Sequence, residues 1–208
     1  GKYFDEMVFA VDDPKAYTEL LNLNEPKAKF YTYSWCKDFS HKRNYVHSLI
    51  TGDYYVRIDC DDAILNPEKL RPVAEKAMGD GINIVVCYYL YAKDEDGNCN
   101  AAHYRETIIK KSDMLVWQKP IHENVVPKRL AGHKIHIEDG IVIDHLIDHE
   151  HSVQSITRNL EYLIEEYNRD KENTDPRTLA YLGRTFFALK DFDKAIFFLQ
   201  KHIDKSGW

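Results

Sequence analysis

The chain has 208 residues, of which 44% are hydrophobic and 30% are charged, and its formal net charge is −6. This balance excludes wholesale disorder, and it gives no overall reason to expect nucleic-acid binding, which usually needs a basic face. The length allows one full domain with a small appendage, or two small domains.

The four cysteines, Cys36, Cys60, Cys87 and Cys99, form no Cys-x-x-Cys pair, which argues against a zinc ribbon. Cysteines at this low density indicate reduced thiols, and the opening residues lack the composition of a signal peptide. We therefore expect a cytoplasmic protein. The longest apolar run, residues 84–92, is far shorter than the roughly 20 residues of a membrane-spanning helix, so no transmembrane segment is expected.

The first part of the chain alternates between strand-like and helix-like patterns. Apolar runs predict strands at residues 7–11, 29–33 and 54–58, and amphipathic spacing predicts helices at residues 15–23, 39–50 and 67–78. The first strand reads as a buried parallel strand that ends in Asp12, and the third runs into Asp59. The alternation predicts an α/β sheet with acids at the carboxyl ends of strands.

Further strands follow, and then the pattern becomes helical. Strands are predicted at residues 82–92, 104–110, 134–137 and 141–146, with a hairpin turn at 94–98. Beyond residue 150, apolar residues recur every three or four positions and predict helices at 153–167, 176–189 and 192–203. This change predicts two domains, residues 1–150 and 151–208.

The strongest local candidate for chemistry is the run Asp59-Cys60-Asp61-Asp62 at the end of a strand. Ligands of open α/β sheets bind beyond the carboxyl ends of strands. Carboxylates packed there repel one another unless a cation or hydrogen bonds compensate, and Mg²⁺ or Mn²⁺ suits their oxygens. Such an ion would hold a diphosphate. A solvated turn with a helix cap accounts for the same residues, so both interpretations stand at this point.

Ten histidines raise the question of a zinc site. His122-Glu123 and His149-Glu150 both lack the second histidine of a His-Glu-x-x-His motif. His145 and His149 could share a helix face, but the spacing supplies no further ligands. The sequence has no Gly-rich phosphate loop and no Gly-x-Ser-x-Gly elbow, which disfavours P-loop NTPases and serine hydrolases.

Five segments occur in one order over about 140 residues. They are residues 4–12, which end in an acid; residues 35–44, Trp-Cys-Lys-Asp-Phe-Ser-His-Lys-Arg-Asn; residues 51–62, which open with Thr-Gly-Asp and end in the acidic run; residues 117–123, which end in Ile-His-Glu; and residues 141–145, which end in Asp-His. Together they resemble the motifs of family 2 glycosyltransferases of the GT-A fold.

The helical part extends the likeness. Arg158-Asn159-Leu160 resembles the start of the helical extension in the bacterial and phage branch of that family. The following residues are at tetratricopeptide spacing: Leu179, Leu182, Gly183, Phe186, Ala195 and Leu199. The resemblance implies a GT-A-like mixed sheet flanked by helices, followed by a small tetratricopeptide-like all-α tail. A homodimer through this tail is one expectation.

The resemblance also implies an activity, an inverting transfer of sugar from a nucleotide sugar, with a UDP-sugar as the first choice. The acceptor stays open among a glycan, a lipid-linked sugar, a peptide side chain and a modified nucleic acid, and the acidic balance mildly disfavours DNA. By motif position, Asp61 and His145 would bind Mn²⁺ or Mg²⁺. Asp12 and Asp59 would contact the nucleotide.

The remaining motif residues have two interpretations each. Arg43 and Asn44 would lie near the nucleotide, although Arg43 could equally form a structural ion pair. Glu123 would be the catalytic base, with His122 orienting it or lining the pocket, and a structural salt bridge at Glu123 is the competing interpretation. Arg105 could bind phosphate or be structural. Asp62 is expected to be a supporting carboxylate or a helix cap.

Two departures from the family pattern favour a second hypothesis. The family usually begins with a strand upstream of the acid-ended one, and its Ser-Thr-Asp-Gly-Thr turn is replaced here by residues 12–18. Both features help to hold the nucleotide. A degenerate, non-catalytic domain that acts as a binding module is therefore the alternative. A third hypothesis is a zinc-dependent hydrolase that uses Asp61, His122, His145 and His149.

Overall fold

The computed structural model describes residues 2–22, 24–94, 96–129, 131–146 and 149–206, and for residues 149–154 it describes the backbone alone. The chain divides into two compact units, Gly1–Ile147 and Asp148–Trp208. The described residues of the first unit form a mixed α/β structure, and those of the second form three helices.

The first unit begins with alternating strands and helices, as the sequence predicts. Its elements are β1 (Met7–Val11), α1 (Pro14–Leu21), β2 (Ala28–Thr32), α2 (Phe39–Leu49), β3 (Tyr54–Val56), β4 (Asp62–Ile64), a 3-10 helix (Pro67–Lys69), α3 (Leu70–Asp80), β5 (Ile84–Lys93), β6 (Cys99–Lys110), β7 (Leu115–Gln118), β8 (Asn124–Pro127) and β9 (Ile135–His145). The side chains of Asp13 and Asp38 cap α1 and α2 by accepting backbone N–H groups of the first turns.

Three short strands and one long one differ from the predictions. Sequence patterns did not indicate β4, β7 and β8, which have three or four residues each. The two strands predicted at 134–137 and 141–146 are one strand, β9. Its pairing with β5 shifts register between Cys87 and Tyr88, and the Gly140 N–H donates to Glu138 Oε1 at 2.7 Å. The Asp139-Gly140 signal therefore marks an irregularity within a strand and not its end.

Five strands form a curled mixed sheet in the order β3-β6-β5-β9-β4. Within it β5 and β9 are parallel, and the other neighbours are antiparallel. A separate pair, β1 and β2, is parallel, as predicted for residues 7–11. The burial expected for that strand is wrong, because each of its five residues is partly exposed. The reason is that, among the strands that the structure describes, β1 has a neighbour on one side only.

The core follows the period-2 alternation of β5. Val85, Cys87 and Tyr89 pack on one face of the sheet, against Leu70 and Ala77 of α3. The opposite face carries a second cluster of buried residues, Ile84, Ile109, Leu115, Trp117 and Val125, to which the β7–β8 hairpin contributes the last three. Because α3 and the hairpin cover opposite faces, both sides of the central strands are buried.

Glu6 joins β1 to the loop that precedes β3. Its Oε1 accepts the backbone N–H of Thr51 at 2.6 Å, the Thr51 hydroxyl at 2.9 Å and the Gly52 N–H at 3.3 Å, while Oε2 accepts Lys29 Nζ at 2.7 Å. Burial alone would raise the pKa of Glu6, but the bonds from Lys29, Thr51 and Gly52 outweigh it and lower that pKa to about 2. Thr51 and Gly52 thus hold a structural carboxylate at one end of β1.

This carboxylate predicts a pH-dependent stability. Because the folded pKa of Glu6 is depressed, its contribution is present above the unfolded pKa, near 4.5, and is lost as the pH falls toward 2. We expect Glu6→Gln to cost about 2 kcal/mol at pH 7 after allowance for solvent screening, and the difference from wild type to shrink by about half at pH 3. Urea unfolding at both pH values measures it, with exposed Glu19→Gln as the control. An equal difference at both pH values contradicts this assignment.

The second unit contains α4 (His149–Arg169), α5 (Pro176–Ala188) and α6 (Phe192–Ser206). The helices predicted after residue 150 are therefore present, and α4 begins earlier than expected. Buried Leu179, Leu182 and Phe186 of α5 pack with Ala195 and Phe198 of α6 into one core. Several apolar side chains of this hairpin remain exposed, namely Phe187, Leu189, Phe192, Ile196 and Phe197.

The four cysteines are free thiols, of which Cys87 alone is buried. Burial raises the pKa of the Cys87 thiol to about 11, so this thiol is unreactive at neutral pH. Among the described residues, no helix has the length and apolar composition needed to cross a membrane.

Candidate metal and ion-pair site

The candidate site lies where the chain leaves β3 and enters β4. The Arg57 N–H donates to the Thr107 carbonyl at 2.8 Å, so the chain still follows β6 just beyond β3. It then turns through Asp59 and Asp61, and β4 pairs with the end of β9 so that Asp62 lies opposite His145. This pairing brings the acidic run to a histidine more than 80 residues away in sequence.

Asp61, Asp62 and His145 form the group of described residues that could hold a metal ion, with donor atoms all within 4.8 Å of one another. His145 Nδ1 lies 3.0 Å from Asp62 Oδ1 and 3.9 Å from Asp61 Oδ1. Ligands that share one ion at about 2.1 Å lie roughly 3–4 Å apart, so these separations suit a single ion. Two carboxylates and an imidazole form a donor set for Mn²⁺ or a related divalent ion.

Asp62 is the buried member of this group, with a side chain that is 2% exposed, against 53% for Asp61. The Tyr89 hydroxyl donates to Asp62 Oδ1 at 2.6 Å, and the Asp59 N–H donates to Oδ2 at 3.1 Å. Burial first, and then the bond to Asp62, raises the pKa of Tyr89. Asp62 begins a strand, so the helix-cap interpretation of this residue is wrong.

Aromatic rings hold His145 in place. The ring of Tyr91 stacks on the imidazole with centroids 5.9 Å apart and planes 6° apart, and the ring of Tyr89 lies 5.6 Å away. Tyr89 therefore contacts both members of the buried Asp62–His145 pair. Such supporting contacts fix the orientation of a metal ligand before an ion binds.

Beside the metal-capable group lies an ion-pair network centred on Asp59. Its carboxylate pairs with Arg43, with Arg105 at 2.7 Å and with Arg57 at 3.4 Å. Glu123 Oε1 in turn accepts Arg43 Nε at 3.1 Å and Arg57 Nη2 at 2.8 Å. The network is largely shielded from solvent, since the Arg57 and Glu123 side chains are 5% and 9% exposed.

The network shifts the titration of its members in opposite directions. Burial lowers the pKa of Arg57, and the neighbouring Arg43 lowers it further. For Arg43, burial acts in the same direction, but Asp59 and Glu123 outweigh it and raise the pKa. Burial would raise the pKa of Asp59, whereas Arg43 and Arg57 lower it. The shifts of Arg43 and Asp59 both favour the charged form, so this pair stays ionised near neutral pH.

Glu123 is the residue between the turn of the β7–β8 hairpin and β8. Lys119 and His122 both adopt left-handed backbone conformations in this turn, with φ of 80° and 54°, which non-glycine residues seldom adopt. The Pro120 carbonyl accepts the Phe39 N–H at 2.9 Å, which fixes the turn to the start of α2. This tight turn aims Glu123 at Arg43 and Arg57, so one of its carboxylate oxygens is engaged in the ion-pair network.

Two predicted nucleotide ligands are engaged elsewhere. The Asn44 side chain makes two hydrogen bonds of 2.9 Å with the backbone of Trp117, one to its carbonyl and one from its N–H. Asp12 lies 3.5 Å from Lys42 Nζ and is 43% exposed. The structure thus brings Arg43, Asp59, Asp61, Glu123 and His145 into one connected set and gives Asn44 a structural contact with β7.

The zinc hypothesis needs two residues besides Asp61 and His145. His122 is not part of the metal-capable group found among the described residues. The side chain of His149 lies outside the described residues. Of the proposed zinc ligands, Asp61 and His145 are therefore the two that the structure places together.

Sequence reasoning missed the importance of Arg57 and Tyr89. Arg57 could have been found, because residues i and i+2 of an extended strand share a face and Arg57 stands two positions before Asp59. Tyr89 carried no usable signal. Its bond to Asp62 depends on how β5 and β9 bring two distant segments together.

Neither protein-family models nor curated proteins gave a match to this chain.

Proposed function

We propose that the first unit binds a divalent metal ion together with a nucleoside diphosphate, and that it acts as an inverting transferase on a nucleotide sugar. The observation that carries this proposal is the convergence of Asp61, Asp62 and His145 at strand ends, with Arg105 Nη1 3.6 Å from Asp62. A bound Mn²⁺ or Mg²⁺ would offset the charge of a leaving diphosphate. The order of motifs that resembles family 2 glycosyltransferases supplies the substrate class.

The residues have distinct roles in this proposal. Asp61, Asp62 and His145 hold the metal, and Tyr89 and Tyr91 keep the imidazole in place. Arg43 and Arg57 keep Asp59 ionised and Arg105 pairs with it at the edge of the site, where Asp59 faces the ribose or the water shell of the metal. The sugar acceptor is a glycan, lipid-linked sugar, peptide or modified nucleic acid. For the helical unit we propose self-association through the exposed apolar side chains of α5 and α6.

One observation favours the second candidate, a non-catalytic binding module. Glu123, the proposed base, has an oxygen engaged by two arginines, and Asn44 is bound to the backbone of Trp117. A domain that binds a metal–nucleotide complex without transferring sugar does not need Glu123 or Asn44 to contact the substrate. Turnover of a UDP-sugar separates the two candidates, because the binding module retains metal-dependent UDP binding but releases no UDP from the donor.

Calorimetric titration of UDP tests the proposal. We expect saturable binding with Mn²⁺ that EDTA abolishes and that Asp62→Asn weakens by roughly tenfold or more, since a buried ligand is lost. Exposed Asp80→Asn serves as the control for the same chemical change and is expected to bind like wild type.

Two further results would count against the metal site. One is UDP binding that EDTA does not affect. The other is equal binding by Asp62→Asn and wild type when circular dichroism shows both to be folded. His145→Ala provides an independent second variant, since the imidazole lies on the partner strand β9 and contributes a different donor atom.

A further inference from the structure

Two strands of the first unit have open edges that line the same cavity. Among the described residues, β1 pairs with β2 alone, and β3 pairs with β6 alone. A cavity of about 620 Å³ is lined by Met7–Ala10 along β1 and by Tyr54–Val56 along β3. The open edges of the two sheets thus line opposite sides of one groove, which we call the strand groove.

The hydrogen-bond pattern shows which backbone groups face this groove. The Met7 N–H donates to Lys27, and the Val11 carbonyl accepts from Tyr33, so residues 7, 9 and 11 face β2. In a parallel pair, the residues between them, Val8 and Ala10, direct their N–H and C=O groups to the other side. These groups make no hydrogen bond with the described residues.

The same reasoning applies to β3. The Arg57 N–H donates to Thr107, and the Lys111 N–H donates to Asp53, so residues 53, 55 and 57 face β6. Tyr54 and Val56 therefore direct their backbone groups away from β6, and their N–H and C=O groups also lack partners among the described residues. Four residues on two strands therefore present backbone donors and acceptors to one groove. The sheet on each side of the groove lacks a neighbouring strand at this edge.

The walls of the groove fit an apolar strand. Side chains of α2 and α3, and of Ile50 just after α2, close it from both faces; those of the helices include Phe39, Val46, Leu70, Ala74 and Met78. A strand covered on both faces is apolar at every position, not at alternate ones. Glu6 fixes one end of the groove through Thr51 and Gly52, and Arg43 and Asp59 lie at the other end.

The described residues cannot supply this strand. Each described strand of the unit is already assigned to one of its three sheets, and the unit contains no run of about five undescribed residues. We infer that the strand groove binds an extended apolar segment of polypeptide from outside these 208 residues, which hydrogen-bonds to β1 and β3 and joins the two sheets into one. This inference does not rest on the proposed activity.

Amide hydrogen exchange of the whole chain tests the inference. The probe is a capped peptide with five alternating valine and isoleucine residues between lysines. We expect it to slow exchange at Val8, Ala10, Tyr54 and Val56 by roughly tenfold or more, because these amides gain partners. The control peptide has the same side chains but is N-methylated at alternate residues, so that the methyl groups prevent one edge from approaching a strand and the peptide cannot enter a groove that needs both edges. It is expected to leave the four amides within about twofold of the free protein.

Three outcomes would overturn the inference. Equal effects of both peptides would mean that the groove binds apolar side chains without strand pairing. No protection at millimolar peptide would mean that the groove accepts no strand. Protection of the four amides that appears with rising protein concentration and no peptide would assign the groove to a second copy of this chain.

Discussion

Replacing Glu123 by glutamine is expected to lower the free energy of unfolding by about 3 kcal/mol. Glu123 balances a network of three guanidiniums and three carboxylates, those of Arg43, Arg57 and Arg105 against Asp59, Asp62 and Glu123. Neutralising one carboxylate leaves Arg43 and Arg57 with Asp59 as their shared partner in a site where Arg57 is 5% exposed. Leaving a buried charge uncompensated costs about 3–5 kcal/mol.

Urea unfolding measures this effect, with the exposed Glu75→Gln as a control that is expected to stay within about 0.5 kcal/mol of wild type. A double variant, Arg57→Leu with Glu123→Leu, is expected to lose less stability than the sum of its single variants, since neither charge is then left alone. An unchanged stability of Glu123→Gln with loss of sugar transfer would show that Glu123 is a base and not a structural anion.

The second large effect is expected in the helical unit, where Gly183→Ala should destabilise the α5–α6 hairpin by about 2 kcal/mol or more. A Cβ at position 183 would lie 2.5 Å from Leu199 Cγ and 3.2 Å from the Leu199 backbone nitrogen. Because the Leu199 contact involves the branch point of the side chain and the backbone nitrogen, and not only the flexible methyl ends, the two helices must move apart. Overpacking of this kind typically costs about 1–3 kcal/mol.

Gly79→Ala is the matched control. Gly79 lies in α3, and a Cβ there meets nothing within 4 Å. The helix preference of alanine then predicts a gain of about 0.5–1 kcal/mol. The same substitution is thus expected to have opposite signs at the two positions. Thermal unfolding followed by circular dichroism should show a decrease of roughly 10 °C in the transition of the helical unit for Gly183→Ala.

The Leu199→Ala substitution provides a further check on the cause. If the contact with Leu199 is the reason for the lost stability, Leu199→Ala should lower the free energy of unfolding less in the Gly183→Ala background than in wild type. In that background the substitution also removes the overlap between the Cβ at position 183 and the Leu199 side chain. A stabilised Gly183→Ala variant would mean that α5 and α6 do not approach closely at this position.

Much of the fold was predictable because local patterns decide it. The apolar runs of β1, β2, β3 and β5 and the helical spacing of α2 are properties of neighbouring residues, and their bounds agree well with the structure. The predictions failed where a strand forms by pairing with a segment that is far away in sequence. β4 has three residues and exists because Asp62–Ile64 pair with the end of β9, and nothing in a run of three residues signals such a contact.

In the candidate site, too, local features were predictable and distant contacts were not. The sequence by itself determined the acidic run, the position of Asp59 and Asp61 after a strand and the presence of His145 in an apolar segment. The tertiary structure decided that Asp62 faces His145 and is buried under Tyr89, and that Glu123 lies between Arg43 and Arg57. Residue type and local spacing can be read directly from the sequence. The charges that surround a carboxylate belong to distant segments, which come within a few ångströms of it only when the chain folds.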